Sequence, residues 1–352
     1  MRILYVDISI SGHHISYMRG LTANNEENCI LIVPEKIDEI ECKQYVCQLP
    51  TTNKKNLASH YSWIRSIKKI ADLEKPDIIH FLWGDYFYSH YGLGLSMLKK
   101  YKLMMTLHLN RESIRGHLSL KMTMKKMSMI VVHSEYIKMQ LQNEKISNIF
   151  HVEYPQFNSL SCDREVARNY FMLKPDIPVI GCIGGTMGYK GLDILLEALK
   201  NVKTPFQLLV AGKKVVYDEQ YIREHTATYS DRVHACIKFL SDEELSYALN
   251  ASDIIALPYR RWFNGASGPL GEGVSLGKCI IGPSHGTLRY TIENNHLGYI
   301  FESENIESLS ETIEIALQND FIKDSQYVNY QKSLSPEKFR ESYNMVYEKI
   351  IR

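Results

Sequence analysis

The sequence predicts an α/β protein with two Rossmann-like, doubly wound domains that face each other across a cleft. Short β-branched runs alternate with helix-length amphipathic segments, which is typical of parallel sheets covered by helices. This alternation occurs twice, on either side of a polar stretch at 155–178 that contains three prolines. The length agrees, because 352 residues exceed what one hydrophobic core usually serves.

Twelve runs are candidate strands, six in each half. Those of the front half are 3–7, 29–33, 78–82, 103–107, 129–132 and 149–152. Those of the back half are 179–183, 206–211, 234–239, 254–257, 279–281 and 298–301. We interpret 155–178 as a linker, and we place one Rossmann-like domain at 1–160 and a second at 161–335. Residues 336–352 form a C-terminal helix that is a candidate for packing back on the N-terminal domain.

Composition narrows the class of protein. The apolar content of 45% and charged content of 23% are those of a soluble globular chain. No apolar run approaches the roughly 20 residues of a bilayer span, and a strand follows Met1 where a signal peptide would need a long apolar segment. We therefore expect a cytoplasmic protein. The seven cysteines are scattered and lack C-x-x-C spacing, which predicts neither a disulfide framework nor a zinc site.

The net charge of +1 hides an asymmetry. Up to Pro155 there are 20 Lys and Arg against 15 Asp and Glu, so the front part carries about +5 and the remainder about −4. One basic cluster lies beside apolar residues and consists of Lys121, Lys125 and Lys126 with Leu118, Leu120, Met122 and Met124. Such a surface suits anionic lipid head groups or an anionic acceptor, and a solvated helix face is the alternative. A nucleic-acid partner is not expected, since no basic stripe with interleaved aromatic residues occurs.

The most informative stretch is 257–282, LPYRRWFNGASGPLGEGVSLGKCIIG. It predicts a strand end, a glycine-rich loop, a short helix and a second buried strand. Ser267 and Gly268 allow close approach of a ligand, and Pro269 suits the first turn of a helix whose N–H groups would face an anion. Glu272 falls one turn later, where a carboxylate can accept hydrogen bonds from sugar hydroxyls. An ordinary strand-loop-helix crossover with a solvated glutamate is the alternative.

A second stretch, GCIGGTMGYKGLDILLEALKNV at 181–202, predicts another strand-loop-helix turn. Lys190 lies at the mouth of this turn, where a point charge suits a pyrophosphate; a surface lysine is the alternative. The G-x-x-x-x-G-K-[ST] spacing of ATPases is absent, and the GHH sequence at 12–14 does not form G-x-G-x-x-G. These absences argue against a P-loop ATPase or kinase, and they weaken the case for a nicotinamide-dependent dehydrogenase.

Together the two stretches resemble the donor half of GT-B glycosyltransferases, most closely glycosyltransferase family 4. The matching motifs are K-G with D-x-L-L-E-A at 190–198, SDIIALP at 252–258 and the block from Asn264 through Glu272 to Ile281. The P-Y-R and S-G motifs at 258–260 and 267–268 fit one subset of that family. The front half is similar more loosely, through PDIIHFLWGD with His80, MMTLHLNRES with His108 and IVVHSEYIKMQL.

The resemblance implies a retaining transfer of a sugar from a UDP- or GDP-sugar, without a bound metal or other cofactor. It implies that Lys190 stabilises the leaving diphosphate, that Glu272 holds the ribose and that His108 lies near the sugar. The further residues expected to bind the donor are Gly185, Arg260, Asn264, Ser267, Gly268 and Leu270. On the acceptor or phosphate side we expect Gly12, His13 and His14, at the junction of the first strand with its helix, although a plain capping turn is the alternative.

Two positions depart from the family pattern. Asn264 stands where the family has the first acid of its pair, and Gly185 stands where an arginine often occurs. Arg260 or Arg261 are candidate substitutes for the missing phosphate contact. The departures keep a second function open, a non-catalytic GT-B subunit that binds a glycan or stabilises a partner enzyme. The first interpretation is a transferase of polysaccharide biosynthesis with a glycan, lipid-linked or protein acceptor, located in the cytoplasm and peripherally at the inner membrane face. A nucleotide-sugar epimerase lacks specific support.

Overall fold

The computed structural model of the chain describes residues 1–10, 13–48, 57–109, 113–156 and 161–352. They form two compact units. The first combines Met1–Glu153 with Pro336–Arg352, and the second is Tyr154–Ser335. The N-terminal part of the chain therefore shares its unit with the last helix.

Within the described residues, the first unit contains a seven-stranded parallel sheet. Its strands are β1 (Ile3–Val6), β2 (Cys29–Val33), β3 (Lys43–Val46), β4 (Ile78–Phe81), β5 (Lys102–Leu107), β6 (Met129–Val132) and β7 (Ile149–His151). The order is β3-β2-β1-β4-β5-β6-β7, so the winding direction reverses between β1 and β4. Both faces are covered, which explains why β1, β2 and β6 are continuous apolar runs without alternation.

The helices of the N-terminal part follow the strands as the doubly wound pattern requires. They are α1 (His13–Thr22), α2 (Leu57–Glu74), α3 (Ile114–Met124) and α4 (Glu135–Asn143). The edge strand β3 is the one strand of this sheet absent from the sequence prediction. Its residues, KQYV, are exposed or half-buried, so the strand contains no apolar run that would reveal it in the sequence.

The second unit repeats this architecture with a six-stranded parallel sheet in the part of the chain that the structure describes. Its strands are β8 (Val179–Ile183), β9 (Gln207–Ala211), β10 (Val233–Cys236), β11 (Ile254–Ala256), β12 (Cys279–Pro283) and β13 (Gly298–Phe301). The order β10-β9-β8-β11-β12-β13 places the winding reversal between β8 and β11. All six match predicted strands.

Eight helices are seen among the described residues of the second unit. They are α5 (Arg164–Tyr170), α6 (Leu192–Leu199), α7 (Glu219–His225), α8 (Asp242–Ala251), α9 (Gly268–Ser275), α10 (Gly286–Asn294), α11 (Ile306–Gln318) and α12 (Ser325–Ser333). Serine, aspartate or asparagine side chains accept an N–H at the start of α3, α4, α5, α7, α8, α9, α11 and α12. These caps satisfy donors that a helix start leaves unpaired.

The stretch predicted as a linker contains α5, so that prediction is wrong for residues 164–170. Arg168 on this helix is fully buried, and its guanidinium pairs with Asp253 and donates to the carbonyl oxygens of Ala251 and Ile177. Asp253 also accepts the N–H of Val179 at 2.7 Å. A buried charge is tolerated only when it is paired and hydrogen-bonded, and here that requirement joins α5 to the beginnings of β8 and β11.

The last helix, α13 (Pro336–Ile351), returns to the first unit and packs beside α1. Its buried face includes Phe339, Tyr343, Val346 and Tyr347. No helix among the described residues is both long enough and apolar enough to cross a membrane.

A continuous chain of buried hydrogen bonds connects α13 to the sheet. In order it passes through the Val152 carbonyl, His133, Tyr17, Tyr343, Thr106, His80 and Tyr347. Two of its members are on α13, and the others come from α1, from β4 and β5 and from the residues that follow β6 and β7. The helix is thus held by polar contacts as well as by apolar packing.

The donors and acceptors along this chain of hydrogen bonds are all ordered in the same direction. The Val152 carbonyl only accepts, so His133 donates its Nδ1–H over 2.8 Å. Burial lowers the pKa of His133 well below its usual value and the pKa of His80 to about 3, so both imidazoles are neutral, with one donor and one acceptor each. Each hydroxyl between them has a single proton. The first bond therefore orients all the others, and Tyr347 donates to Nδ1 of His80 at 2.9 Å.

We expect Tyr343→Phe to lower the free energy of unfolding by about 1–3 kcal/mol, because Thr106 loses its buried acceptor and Tyr17 loses its donor. Urea unfolding followed by circular dichroism measures the change. Tyr61→Phe, on α2 and outside this chain of bonds, is the matched control. Equal stability of Tyr343→Phe and the wild type would contradict a structural role for the buried chain.

Candidate functional site

The winding reversal of the second sheet brings together the residues that the sequence singled out there. Ligands of doubly wound sheets bind outside the carboxyl ends of the strands at such a switch point. The loop after β8 carries Lys190, and the loop after β11 carries Arg260 and leads into α9 with Glu272. The two stretches 181–202 and 257–282 are therefore the two sides of one place in the fold.

Backbone contact fixes the two loops to each other. Gly191 has a left-handed φ of 65°, and a Cβ at this residue would lie 2.0 Å from the carbonyl oxygen of Pro258. Arg260 N–H donates to the Tyr189 carbonyl at 2.8 Å, and its Nε–H donates to the Gly188 carbonyl at 3.1 Å. Only glycine allows this approach at residue 191. Steric exclusion of a side chain therefore explains why glycine follows Lys190.

The Lys190 ammonium lies over the end of β8. A Cβ added to Gly184, whose φ is 104°, would be 2.6 Å from Lys190 Nζ and 3.8 Å from Pro269 Cγ in the first turn of α9. The ring centroid of Tyr259 is 5.8 Å from the same ammonium. Within the described part of the chain, Lys190 has no carboxylate within salt-bridge distance. A side-chain cation and a helix N-terminus therefore lie side by side, which is an arrangement that suits an anion.

Ser267 begins α9. Its hydroxyl accepts the N–H of Leu270 at 3.4 Å and lies 3.3 Å from the hydroxyl of Tyr259. Gly268 is the first residue of the helix, and Leu270 has a buried side chain, so Leu270 can offer a ligand only its main chain. The three predicted residues Ser267, Gly268 and Leu270 thus lie together at this helix start.

Glu272 is one turn into α9, and only 6% of its surface is exposed. Burial raises the pKa of Glu272 to about 7, while the charge of Lys190 acts in the opposite direction and Asp242 adds to the increase. Among the described residues no hydrogen-bond donor reaches its carboxylate. A buried carboxylate without partners is costly, and it supplies strong acceptors to any hydroxyl that enters.

Asn264 has a structural partner that the sequence did not reveal. Its side-chain oxygen accepts the N–H of Thr287 at 3.2 Å and the hydroxyl of Thr287 at 3.0 Å, at the start of α10. Gly286 comes equally close, since a Cβ there would lie 3.0 Å from the same oxygen. The oxygen of Asn264 therefore caps α10, and its role in binding the donor sugar stays a prediction.

The Arg260 guanidinium pairs with Asp193 on α6 and, at 3.4 Å, with Glu304. Arg261 is exposed and lies 3.9 Å from Glu304. At Gly185 a Cβ would meet Lys213 and Val215 at 3.5 and 3.6 Å, which is ordinary contact distance. Arg260 therefore stabilises the loop that carries Lys190. Its contact with a donor phosphate stays a prediction.

A separate polar cluster lies at the switch point of the first sheet, where β1 and β4 end. His14 Nδ1 is 2.9 and 3.0 Å from the two carboxylate oxygens of the buried Asp7. Its ring lies 4.8 Å from that of Trp83, which stacks on His108 with a centroid distance of 4.4 Å. His13 begins α1, and the described structure does not extend to its side chain. Gly12 lies outside the described residues.

The two imidazoles of this cluster hold their protons on different nitrogens. His108 Nε2 lies 2.9 Å from the Leu82 carbonyl, so Nε2 carries the proton. Burial lowers the pKa of His108, which keeps this ring neutral with an acceptor at Nδ1. His14 donates from Nδ1 to Asp7. Asp7 was not among the predicted site residues. The position of Asp7 at the carboxyl end of β1 is the signal that could have identified it.

Known proteins resemble this chain in sequence. Residues 163–334 match the family model described as Glycosyl transferases group 1. An uncharacterized glycosyltransferase of Methanocaldococcus jannaschii is 24% identical over 298 residues, which cover 80% of this chain and 78% of that protein. A glycogen synthase of Thermodesulfovibrio yellowstonii is 28% identical over 176 residues, 47% of this chain and 35% of that protein.

Solved structures show the same fold. A glycosyltransferase from Rickettsia africae superimposes with a TM-score of 0.79 at 18% identity, covering 100% of this chain and 99% of that one. Anabaena HepE, in complex with UDP, has a TM-score of 0.80 at 12% identity, with 99% and 100% coverage. The fold is that of the GT-B glycosyltransferases, as the resemblance predicted. The match to the group 1 glycosyltransferases lies in the second unit.

We expect Glu272→Gln to stabilise the protein at pH 8 and not at pH 4.5. The pKa of Glu272 is raised from 4.5 to about 7, so its ionisation destabilises the fold increasingly as the pH rises from 4.5 through 7. The cost reaches at most about 3 kcal/mol above pH 7. Thermal unfolding at the two pH values measures the effect, with the exposed Glu307→Gln as control. If Glu272→Gln and the wild type have the same melting temperature at both pH values, ionisation of Glu272 does not destabilise the fold.

Proposed function

We propose that the protein is a retaining glycosyltransferase that moves a sugar from a UDP- or GDP-sugar to a glycan or glycoconjugate acceptor without a metal ion. The observation that carries the proposal is the position of the Lys190 ammonium beside the N-terminus of α9, one turn before the unpartnered carboxylate of Glu272. The UDP and UDP-glucose complexes of Anabaena HepE support the donor class.

The chemistry explains why these groups belong together. As the bond between the anomeric carbon and the diphosphate breaks, negative charge develops on the leaving oxygen, and a fixed cation with oriented N–H groups lowers the barrier. In the proposal Lys190 and the first turn of α9 supply both, in place of a metal. Glu272 then accepts hydrogen bonds from the ribose hydroxyls, and their approach favours its ionised form.

The first unit supplies the acceptor side of the proposal. The Nδ1 of His108 is an acceptor for hydroxyl protons, and the Trp83 ring, which contacts both His14 and His108, offers an apolar face of the kind that sugar rings pack against. The acceptor class is a glycan, a lipid-linked sugar or a protein, with no role for nucleic acid. We further infer an enzyme of polysaccharide biosynthesis that works in the cytoplasm and contacts the membrane peripherally through its basic first unit.

A second function has one specific observation in its favour. The Asn264 oxygen is engaged at α10, and residue 185 is a glycine, so two groups of the family's usual donor site are absent or occupied. These features suit a non-catalytic GT-B subunit that binds a glycan or stabilises a partner enzyme. Release of UDP or GDP from a panel of nucleotide sugars, with and without acceptors, separates the two functions. A transferase releases nucleotide from one donor, whereas a binding subunit releases it from none.

We expect Lys190→Ala to lower turnover by on the order of 10²-fold, because it removes the cation that faces the leaving diphosphate. Steady-state kinetics with the donor that the panel identifies measures the loss. Lys213→Ala is the matched control, an exposed lysine that follows β9. Wild-type turnover in Lys190→Ala would return Lys190 to the role of a surface charge.

We expect Glu272→Ala to weaken nucleotide binding by about 10–100-fold, the usual effect of losing hydrogen bonds to a charged group. Calorimetric titration with UDP and GDP gives the affinities, and the exposed Glu307→Ala is the control. Unchanged affinity would refute the ribose contact while leaving the transferase proposal to the nucleotide-release assay.

A further inference from the structure

We propose that helix α3 binds the surface of an anionic lipid bilayer through one face. This α3 outer face consists of the apolar residues Ile114, Leu118 and Met122 and the basic residues Arg115, Lys121 and Lys125. The proposal deepens the peripheral membrane contact proposed above by naming its surface. It does not depend on the donor site of the second unit.

The apolar residues of the outer face form a stripe that faces water. Ile114 is 88% exposed, Leu118 54% and Met122 43%. They recur every four residues, and at about 100° per residue they fall within about 80° of one another around the helix. Large apolar side chains grouped in this way on a surface helix mark an interaction site, whereas single exposed ones are ordinary.

The inner face of α3 combines the apolar Leu120 and Met124 with three small or polar residues. Ser119 donates its hydroxyl to the Phe87 carbonyl at 3.0 Å. Thr123 packs so closely on Gly92 that a Cβ there would lie 2.8 Å from its Cα. Gly116 is buried as well. A surface helix normally turns its apolar stripe to the core, so the outward stripe of α3 is not explained by folding of this unit.

The structure divides the cluster that the sequence had grouped together. Leu120 and Met124 are buried in the core of the first unit, and Lys126 donates to the Gly92 carbonyl at 2.7 Å. These three residues therefore do not belong to the outer face. Leu118, Met122, Lys121 and Lys125 remain on it, and the structure adds Ile114 and Arg115.

Charge identifies the occupant. Arg115, Lys121 and Lys125 are exposed, form no ion pair within the described residues, and share a helix that has no acidic residue. Apolar side chains flanked by basic ones suit the boundary between anionic headgroups and acyl chains. A second copy of this chain, related by two-fold symmetry, would bring two sets of cations together. An anionic bilayer fits both the stripe and its flanks.

Co-sedimentation of the full chain with vesicles tests the proposal. One vesicle preparation is phosphatidylcholine alone and the other contains phosphatidylglycerol as well, each at low and at about 0.15 M salt, where screening acts within about 8 Å. We expect binding to the anionic vesicles that is weakened by salt. Leu118→Ser/Met122→Ser and Lys121→Glu/Lys125→Glu should each reduce it by on the order of tenfold or more.

Matched controls separate the face from general surface properties. Met172→Ser/Ile322→Ser removes two exposed apolar side chains of the second unit, and Lys203→Glu/Lys332→Glu makes the same charge change there. Both should bind vesicles as the wild type does. Nucleotide affinity should be unchanged in all four variants, so the vesicle result is independent of the proposed sugar transfer.

Several results would overturn the proposal. They are a wild type that does not bind anionic vesicles, equal binding to phosphatidylcholine alone, or outer-face variants that bind as well as their controls. Sedimentation velocity adds one more. If the wild type does not bind vesicles but self-associates, and Leu118→Ser/Met122→Ser abolishes the self-association, the outer face binds a second copy of the chain.

Discussion

The contact between Gly191 and the Pro258 carbonyl is the constraint on which the candidate donor site depends. It sets how closely the loop after β8 approaches the loop after β11, because any side chain at residue 191 would collide with that oxygen. Arg260 then closes the same junction through the Tyr189 and Gly188 carbonyls and Asp193. Lys190 is consequently held from its main chain while its ammonium remains available, which is the preorganisation that stabilising a developing charge requires.

The same site is the place where the second unit gives up stability. Its sheet and helices bury apolar surface, whereas the carboxylate of Glu272 is buried on α9 with no hydrogen-bond donor found among the described residues. The contrast with Arg168 is instructive, because that buried charge is paired with Asp253 and surrounded by carbonyl acceptors. One charged group is used to join elements of the fold and the other is left to meet a ligand.

The fold could be predicted from sequence because strand burial and helix periodicity are local patterns, and parallel winding then fixes where the strands end. That reasoning also placed Lys190, Ser267 and Glu272 in one region. It could not show that the Asn264 oxygen caps α10, since Thr287 lies 23 residues away. Nor could it separate Leu118 from Leu120, because which side of α3 faces the core is decided by Phe87 and Gly92, distant in sequence. The edge strand β3 was missed because its exposed or half-buried residues form no apolar run. The helix α5 was missed because Asp253, which pairs with its buried Arg168, lies 85 residues away.

The hydrogen-bond chain through α13 has a consequence for how the protein is made. Tyr17, Thr106 and His80 find their partners on a helix that is synthesised only after the whole of the second unit. Until that helix arrives, the first sheet lacks the Tyr343 and Tyr347 hydroxyls to which Tyr17, Thr106 and His80 are hydrogen-bonded, while the uninterrupted second unit already has all of its elements. Vectorial synthesis therefore favours completion of the second unit before the first, although the first begins at the N-terminus.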